Sequence, residues 1–206
     1  MTRIFLIRHG ETEWNKIGRL QGHSDVKLSP EGIRQAQLLA EHAPFRTFDA
    51  IYSSDLSRAV NTAKILAAKF HLRVVEERGL REVNFGEWEG KTADELRDDP
   101  DFQSWLAGDN TVKPPRGESN ADFVRRICKI FESIVEGLMK TGTTECAIVT
   151  HGGVIMTLLA VYGLPQAKPF EWTMDNGYGY SLRVTPMLWQ RGKVCEVFAK
   201  IPEEKL

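Results

Sequence analysis

Short apolar runs alternate with longer stretches of helical periodicity, and this alternation constrains the fold more than any other feature of the chain. Residues 3–7 and 146–150 are apolar runs of strand length. After Ser119, apolar residues recur at helical spacing at Phe123, Ile127, Ile130, Ile134 and Leu138. Strands that alternate with helices predict an α/β fold with a mostly parallel central sheet.

The remaining elements follow the same alternation. Further strands are predicted at 49–52 and 72–75, and late edge strands at 179–185 and 194–199. Helices are predicted over about 55–70 and 154–162. Another helix starts at Ser29-Pro30, and its core-facing stripe comprises Ile33, Ala36, Leu39 and Ala40.

One irregular region, residues 86–118, interrupts this pattern. It contains a predicted small helix whose Thr92 and Glu95 fit a capping box, and then two proline-containing turns. Its position between core elements favours a lid over a cleft and not a second domain, so residues 1–206 are predicted to form a single domain.

Charge and cysteine content limit the partners and the compartment. Lys and Arg number 27 against 28 Asp and Glu, so overall charge favours neither nucleic acid nor anionic lipid. No apolar run approaches the roughly 20 residues of a membrane span, and Arg8 and His9 interrupt the N-terminal apolar stretch too early for a signal peptide. Three widely spaced cysteines are typical of a reducing compartment, which predicts a cytoplasmic protein.

Two segments share one construction, an apolar strand that runs directly into a His-Gly pair. The first pair is His9-Gly10 and the second is His151-Gly152. Ligands of open α/β sheets bind beyond the carboxyl ends of the strands, where each of these histidines would lie. A single such histidine is more often structural, but two at neighbouring strand ends predict two imidazoles that face one cleft.

Cationic and amide side chains are predicted at the same edge of the sheet. Arg8 precedes the first histidine, Asn15 follows it, and Arg58 lies in the first turn of the helix after the second strand. Most arginines are solvated surface charges. A shared edge with two histidines instead favours a phosphate pocket, because guanidinium binds phosphate oxygens in a bidentate manner. Helix N-termini after Ser54 and Gly152 would add backbone donors.

Glu82 is the candidate proton donor. It lies in a short strand-like segment before the predicted lid, where an isolated glutamate would ordinarily be solvated. Beside a bound phosphate it could deliver a proton, and Glu11 and Glu13 are weaker rivals for this role.

The sequence lacks the motif residues that other phosphate-binding sites and zinc sites require. Thr143 replaces the lysine of a P-loop, and Leu182 replaces the third glycine of a dinucleotide loop that would begin at Gly177. No cysteine is followed six residues later by arginine, and no paired-cysteine or His-Glu-x-x-His spacing indicates zinc. The acidic run Asp98, Asp99 and Asp101 is interpreted as a solvated loop.

An ordered set of motifs resembles the histidine phosphatase superfamily, the phosphoglycerate-mutase-like proteins. The set spans most of the chain: Arg8-His9-Gly10-Glu11-Thr12-Glu13-Trp14-Asn15, Gln21-Gly22-His23, Leu28-Ser29-x-x-Gly32, Ser53-Ser54-Asp55-Leu56-Ser57-Arg58-Ala59-x-x-Thr62-Ala63, Leu80-Arg81-Glu82-x-x-Phe85-Gly86-x-Trp88-Glu89-Gly90 and Thr150-His151-Gly152-Gly153.

The resemblance implies a three-layer α/β sandwich and a metal-independent phosphomonoesterase without a cofactor. His9 would be the phosphorylated nucleophile and Glu82 the proton donor. The resemblance places the phosphate pocket at Arg8, Asn15, Arg58 and His151, with Gln21, Gly22 and Gly152 lining the substrate site. The partner would be a small phosphorylated metabolite, with α-ribazole 5'-phosphate as one named candidate.

Three activities stay open at this stage. A phosphatase and a 2,3-bisphosphoglycerate-dependent mutase both pass through phosphohistidine, and a catalytically silent phosphate-binding scaffold is a third alternative. Residues 91–118 contain four basic and seven acidic residues, which favours the phosphatase over a site for a bisphosphorylated acid. Trp88, Phe102 and Trp105 would either stack on a substrate ring or pack within the lid.

Overall fold

The computed structural model describes residues 1–42, 47–109 and 111–202, apart from the side chain of His42. Its strands are β1 (Thr2–Arg8), β2 (Ala50–Ser53), β3 (Val74–Glu76), β4 (Glu145–Thr150), β5 (Gly163–Leu164), β6 (Gly179–Val184) and β7 (Cys195–Ile201). Its α-helices are α1 (Glu13–Lys16), α2 (Pro30–His42), α3 (Ser57–Phe70), α4 (Pro100–Leu106), α5 (Asn120–Thr141), α6 (Gly152–Tyr162) and α7 (Pro186–Gly192). Short 3-10 helices occupy Arg78–Leu80, Gly86–Trp88 and Pro169–Glu171.

The seven strands form one sheet in the order β3-β2-β4-β1-β6-β7-β5, with helices on both faces. Side chains alternate along β1: Ile4 and Leu6 pack in the cluster that contains α5 and α6, whereas Phe5 and Ile7 pack with α2 and α3. The prediction of an α/β fold with a mostly parallel central sheet is confirmed.

The two strands that end in a histidine are direct neighbours. β1 and β4 run parallel, and Arg8 pairs with Thr150 at the end of the register. His9 and His151 therefore leave the same edge of the sheet side by side.

The prediction that the two late strands are edges is wrong. β6 lies between β1 and β7, antiparallel to both, and β7 lies between β6 and β5. The edge positions belong to β3 and β5. The sequence did not mark the two-residue strand β5 as an element, although it covers the outer side of β7.

The helices follow their capping signals. Ser119 caps α5 by accepting a hydrogen bond from the Asp122 backbone, and Gly142 ends the helix in the left-handed conformation with a φ of +70°. Within α2, Ala36, Leu39 and Ala40 are buried as predicted, but Ile33 is 42% exposed. Ile33 lies in the first turn of α2, outside the part of the helix that packs on the sheet.

The predicted lid contains its helix later in the chain than expected. Thr92 and Glu95 form the reciprocal hydrogen bonds of the capping box, yet residues 93–98 form turns and not a helix. The helix is α4, where Asp99 accepts hydrogen bonds from the Asp101 and Phe102 backbone and Pro100 occupies the first turn.

The aromatic residues of this region pack on one another. Trp88 and Phe102 are buried, with ring centroids 5.2 Å apart in an edge-to-face arrangement, and Trp105 packs against both. The interpretation of these rings as lid packing therefore describes the structure better than a substrate-stacking surface.

Among the described helices, none combines the length and apolarity needed to cross a bilayer. Cys128, Cys146 and Cys195 are unpaired thiols, and the last two are buried.

Candidate active site

His9 and His151 meet at the carboxyl edge of the sheet. Their ring centroids lie 5.1 Å apart with an angle of 64° between the planes, and both side chains are almost completely buried. The parallel pairing of β1 with β4 produces this proximity, because it brings two residues that are 142 positions apart in sequence to adjacent strand ends.

Gly10 lets the chain pass close to α2 directly after His9. A Cβ at Gly10 would lie 2.3 Å from the Gly32 carbonyl oxygen, so no side chain fits there. The Gly10 backbone donates to Thr62 Oγ1 at 3.0 Å, which attaches the same turn to α3. The turn that carries His9 is thus held between two helices.

The hydrogen-bond partner of His9 determines which ring nitrogen carries the proton. His9 Nδ1 lies 2.7 Å from the Gly10 carbonyl oxygen, which can only accept a hydrogen bond, so Nδ1 carries the proton. Burial, together with the positive charge of Arg58, holds the pKa of His9 well below its usual value. The ring is therefore neutral near pH 7, with its free lone pair on Nε2.

His151 has a different kind of partner. Its Nε2 lies 2.8 Å from the Ser54 hydroxyl, which can either donate or accept. Its Nδ1 is buried and has no hydrogen-bond partner within the described ranges. Burial and the nearby charge of Arg58 also hold the pKa of His151 well below its usual value.

Two guanidinium groups flank these rings, one buried and one partly buried. The fully buried Arg58 donates to the Gly22 and Ser24 carbonyl oxygens, each at 2.8 Å, and Arg8 donates to the Met174 carbonyl at 2.8 Å. Burial lowers the pKa of Arg58 to about 10, so the group stays cationic at neutral pH. The Nε atoms of both arginines are buried without a partner among the described residues, and a bound anion would satisfy them.

Glu82 lies at the N-terminus of α6. Its Oε2 accepts a hydrogen bond from the Gly153 backbone at 3.0 Å, and a Cβ at Gly153 would lie 2.5 Å from Glu82 Oε1. His23 Nε2 and Arg126 Nη2 donate to the Glu82 backbone carbonyl at 2.9 and 3.1 Å. The carboxylate is thus held beside the helix that begins directly after His151. The segment that carries Glu82 is irregular and not strand-like.

The other predicted site residues lie in α1, in the loop that follows it and at the start of α6. Gly22 contributes its carbonyl to Arg58, and a Cβ on Gly152 would contact the Arg8 Nε at 3.4 Å. Asn15 closes the first turn of α1 through hydrogen bonds with Thr12. Gln21 is buried, and its Oε1 accepts a hydrogen bond from the Thr12 hydroxyl at 2.9 Å.

The rival carboxylates are engaged elsewhere. Glu13 is exposed and pairs with Lys16 at 2.9 Å, and Glu11 accepts from the Ser29 hydroxyl at 3.1 Å. Among the described residues, no group of three or more His, Cys, Asp or Glu side chains is arranged to hold a metal ion.

Sequence reasoning missed three residues that contact the site. Ser54 is the hydrogen-bond partner of His151, Thr62 holds Gly10, and Gly153 donates to Glu82. All three lie within the quoted motifs, but the motifs alone do not reveal which side chains or backbone groups face the histidines.

The described structure is an α/β fold that brings two buried imidazoles, the buried Arg58 and the partly buried Arg8 to one end of neighbouring strands. The family model of the histidine phosphatase superfamily (branch 1) matches residues 4–194, and the chain belongs to this superfamily.

Relatives within the superfamily have more than one activity in their names. The chain is 37% identical over 170 residues to Probable phosphoglycerate mutase GpmB of Yersinia pestis, covering 80% of this chain and 77% of that protein. The structure is similar to the alpha-ribazole phosphatase of Shigella flexneri, with a TM-score of 0.82, 28% identity and coverage of 96% and 95%. It is also similar to the phosphoserine phosphatase of Entamoeba histolytica in complex with 3-phosphoglyceric acid, with a TM-score of 0.79, 31% identity and coverage of 97% and 96%.

Proposed function

We propose that this protein is a metal-independent phosphomonoester hydrolase that acts on small phosphorylated metabolites through a phosphohistidine on His9. The observation that carries the proposal is the fixed tautomer of His9. A neutral imidazole with its free lone pair on Nε2 lies next to two guanidinium groups whose buried Nε atoms have no hydrogen-bond partner among the described residues.

In the first step, His9 Nε2 attacks phosphorus in line with the ester oxygen. The Nε2–P bond forms as the P–O ester bond breaks, and the electron pair of that bond leaves with the alkoxide. The proton stays on Nδ1 and remains hydrogen-bonded to the Gly10 carbonyl oxygen. This hydrogen bond partly compensates the positive charge that develops on the ring.

Electrostatic stabilisation comes from the donors around the transferred group. Arg8, Arg58, His151 and Asn15 would hold the equatorial phosphoryl oxygens as charge shifts in the transition state. The arginines are fixed by backbone carbonyls before substrate binds, so little reorganisation is needed. Loss of one such donor typically costs about 10²–10³ in rate.

Glu82 completes the proton balance. Its carboxylic acid would give its proton to the leaving alkoxide, and the resulting carboxylate would then accept a proton from the water that attacks the phosphohistidine. Cleavage of the Nε2–P bond returns neutral His9 and releases phosphate. The Gly153 hydrogen bond holds Glu82 at the α6 N-terminus, on the side of the site that carries His151.

Charges in the region 86–118 support hydrolysis over mutase activity. Of the four basic residues in 91–118, Arg116 pairs with Glu87 at 3.1 Å and Arg97 pairs with Asp94. A bisphosphorylated acid needs more positive charge than this region offers. The mutase remains the second candidate because the Yersinia pestis relative bears that name.

The substrate class is that of small phosphomonoesters. The named phosphatases among the similar structures support this class, and α-ribazole 5'-phosphate is one member of it. The buried aromatic residues of the lid region give no added support to this ribose-containing substrate. We also propose the cytoplasm as the compartment, in keeping with the unpaired thiols.

A phosphate-release screen tests the proposal. We expect hydrolysis of p-nitrophenyl phosphate and of a subset of small phosphomonoesters, including α-ribazole phosphate or 3-phosphoglycerate, with activity retained in EDTA. Isomerisation of 3-phosphoglycerate that depends on 2,3-bisphosphoglycerate and exceeds hydrolysis would instead establish the mutase. Tight phosphate binding without release from any substrate would establish the scaffold.

The same assay tests Glu82. The E82Q variant should lose about 10²–10⁴ in kcat/KM on an alkyl phosphate, but far less on p-nitrophenyl phosphate, whose leaving group hardly needs a proton. The matched control is E11Q, because the Glu11 carboxylate contacts Ser29 and Lys16. Equal losses on both substrates would exclude Glu82 as the acid.

A further inference from the structure

The loop that enters β6 contacts three of the predicted phosphate-site residues. This pre-β6 loop, residues 174–177, accepts a hydrogen bond from Arg8 Nη1 through the Met174 carbonyl at 2.8 Å. Its Gly177 backbone donates to the carbonyl oxygens of Arg8 and His9 at 3.1 and 3.2 Å. The sequence marked this segment only as a failed dinucleotide loop, so it has no assigned role.

The Asn176 side chain of this loop forms hydrogen bonds with two of the three residues, His9 and Asn15. Its Nδ2 donates to the His9 carbonyl oxygen at 3.1 Å and to Asn15 Oδ1 at 3.3 Å. The His9 carbonyl can only accept, so the atom that faces it must be the amide nitrogen of Asn176. The orientation of the Asn176 amide is therefore determined by the backbone of the proposed nucleophile.

The orientation of Asn15 is fixed in the same manner. The Thr12 backbone N–H, which can only donate, lies 3.0 Å from Asn15 Oδ1. Three donors thus lie within hydrogen-bond distance of the Asn15 oxygen: the Thr12 backbone, the Thr12 hydroxyl at 3.0 Å and Asn176 Nδ2. The Asn15 NH₂ group takes no part in these contacts, and it is the only part of the amide that could donate to a phosphate oxygen.

We propose that Asn176 is a positioning residue that holds the Asn15 amide with its NH₂ group toward the phosphate. The inference rests on the proposed function, because it assigns Asn15 to the phosphate pocket. An amide that rotated by half a turn would present its oxygen to an anion and repel it. Thr12, directly before α1, and Asn176, directly before β6, both oppose this rotation. The Asn15 amide is therefore fixed by an N-terminal and a C-terminal segment of the chain.

A double-mutant cycle tests this coupling. Inorganic phosphate binding by calorimetry and hydrolysis of p-nitrophenyl phosphate are measured for the wild type, N15A, N176A and the double variant. We expect N176A to weaken phosphate binding and kcat/KM by about 10-fold in the wild-type background, but by less than about 2-fold once Asn15 is absent. Equal losses in both backgrounds would overturn the proposal.

An isosteric variant separates positioning from packing. N176D keeps the shape of the side chain but directs a carboxylate oxygen at the His9 carbonyl and at Asn15 Oδ1, so it should lose more activity than N176A. Wild-type phosphate affinity in N176D would overturn the proposal even if N176A failed to fold. T173A is the matched control, since Thr173 is an exposed residue directly before the loop.

The two readouts distinguish this inference from the proposed function. Phosphate binding with coupled losses but no hydrolysis of any ester would reject the hydrolase and support the role of Asn176. Hydrolysis with additive losses would reject the role of Asn176 alone. Absence of phosphate binding in the wild type would overturn both.

Discussion

The two strand ends that carry His9 and His151 are alike in sequence and different in their hydrogen bonds. Each is an apolar parallel strand followed by His-Gly, and each imidazole is buried with a lowered pKa. His9 contacts a carbonyl oxygen, whereas His151 contacts the Ser54 hydroxyl. The strand places the ring, but the partner determines where the proton resides.

This difference suits the two rings to different tasks. The Gly10 carbonyl keeps the proton on Nδ1 of His9, which leaves Nε2 as a permanent lone pair. The Ser54 hydroxyl can donate to Nε2 of His151, and the proton then resides on the buried Nδ1, available to an acceptor. A nucleophile needs the first arrangement, and a hydrogen-bond donor to phosphate needs the second.

Removal of the nucleophile should have the largest effect. H9A should lose at least about 10⁴ in turnover, by analogy with the loss of other covalent nucleophiles, and should form no acid-labile phosphoenzyme. The measurement is trapping of labelled phosphate from substrate in an acid quench. Label that is still trapped on H9A would remove His9 from this role.

Removal of the second ring should slow the reaction without abolishing the intermediate. H151A should lose about 10²–10³ in kcat, the typical effect of deleting one donor to a transition-state oxyanion. Phosphoenzyme should still form on His9, at a slower rate that rapid-quench sampling can follow. If H151A traps no label while H9A does, the two histidines have the opposite roles.

The lowered pKa values of His9 and His151 predict how the free energy of unfolding depends on pH, and both rings should contribute in the same direction. An unfolded histidine has a pKa near 6.5, and burial lowers the folded values of both. Below about pH 6.5 the unfolded chain binds more protons, so stability is constant above this pH and falls below it. Each ring contributes up to about 1.4 kcal/mol per pH unit to the slope.

Urea unfolding in phosphate-free buffer measures this slope. The comparison is made between about pH 7.5 and about pH 5.5, above the range in which ordinary carboxyl groups titrate. H151A should show a smaller loss of stability over this interval than the wild type. An unchanged slope in H151A would mean that His151 has the same pKa in the folded and the unfolded chain, so that burial does not lower it.

The sequence was sufficient to predict the parts of the structure that depend on local pattern. Apolar periodicity predicted β1, β4 and α5, and the strand-His-Gly repeat predicted that His9 and His151 would lie near each other. The positions of β6 and β7 inside the sheet were not predictable in this way, because their neighbours are set by tertiary pairing with β1 and the very short β5. Because β6 and β7 come last in the chain, they were predicted to be edge strands, but each has a neighbouring strand on both sides.

Hydrogen-bond partners were equally hard to predict. Ser53 and Ser54 are consecutive, fully buried serines at the end of β2, and nothing in their local sequence indicates which of them faces His151. The alternation of the strand and the turn into α3 decide it, since Ser53 Oγ donates to the Ser54 backbone carbonyl at 2.8 Å whereas Ser54 Oγ reaches the ring. The difference between the two imidazoles therefore emerges only from the folded structure.

Loss of the Ser54 hydroxyl should have the smallest effect of the four and the most specific one. S54A removes the hydroxyl that we expect to donate to His151 Nε2 and so to hold the proton on Nδ1; this contact is worth about 1 kcal/mol, so kcat should fall about 5-fold. The loss should disappear in the H151A background, because Ser54 acts through that ring. S53A is the matched control: it removes a hydroxyl of the same burial from the neighbouring position, and it should lower stability without this effect on kcat. If S53A and S54A slowed the reaction equally, the hydroxyl at position 54 would be a packing element, and the proton of His151 would have to be positioned by the bound phosphate itself.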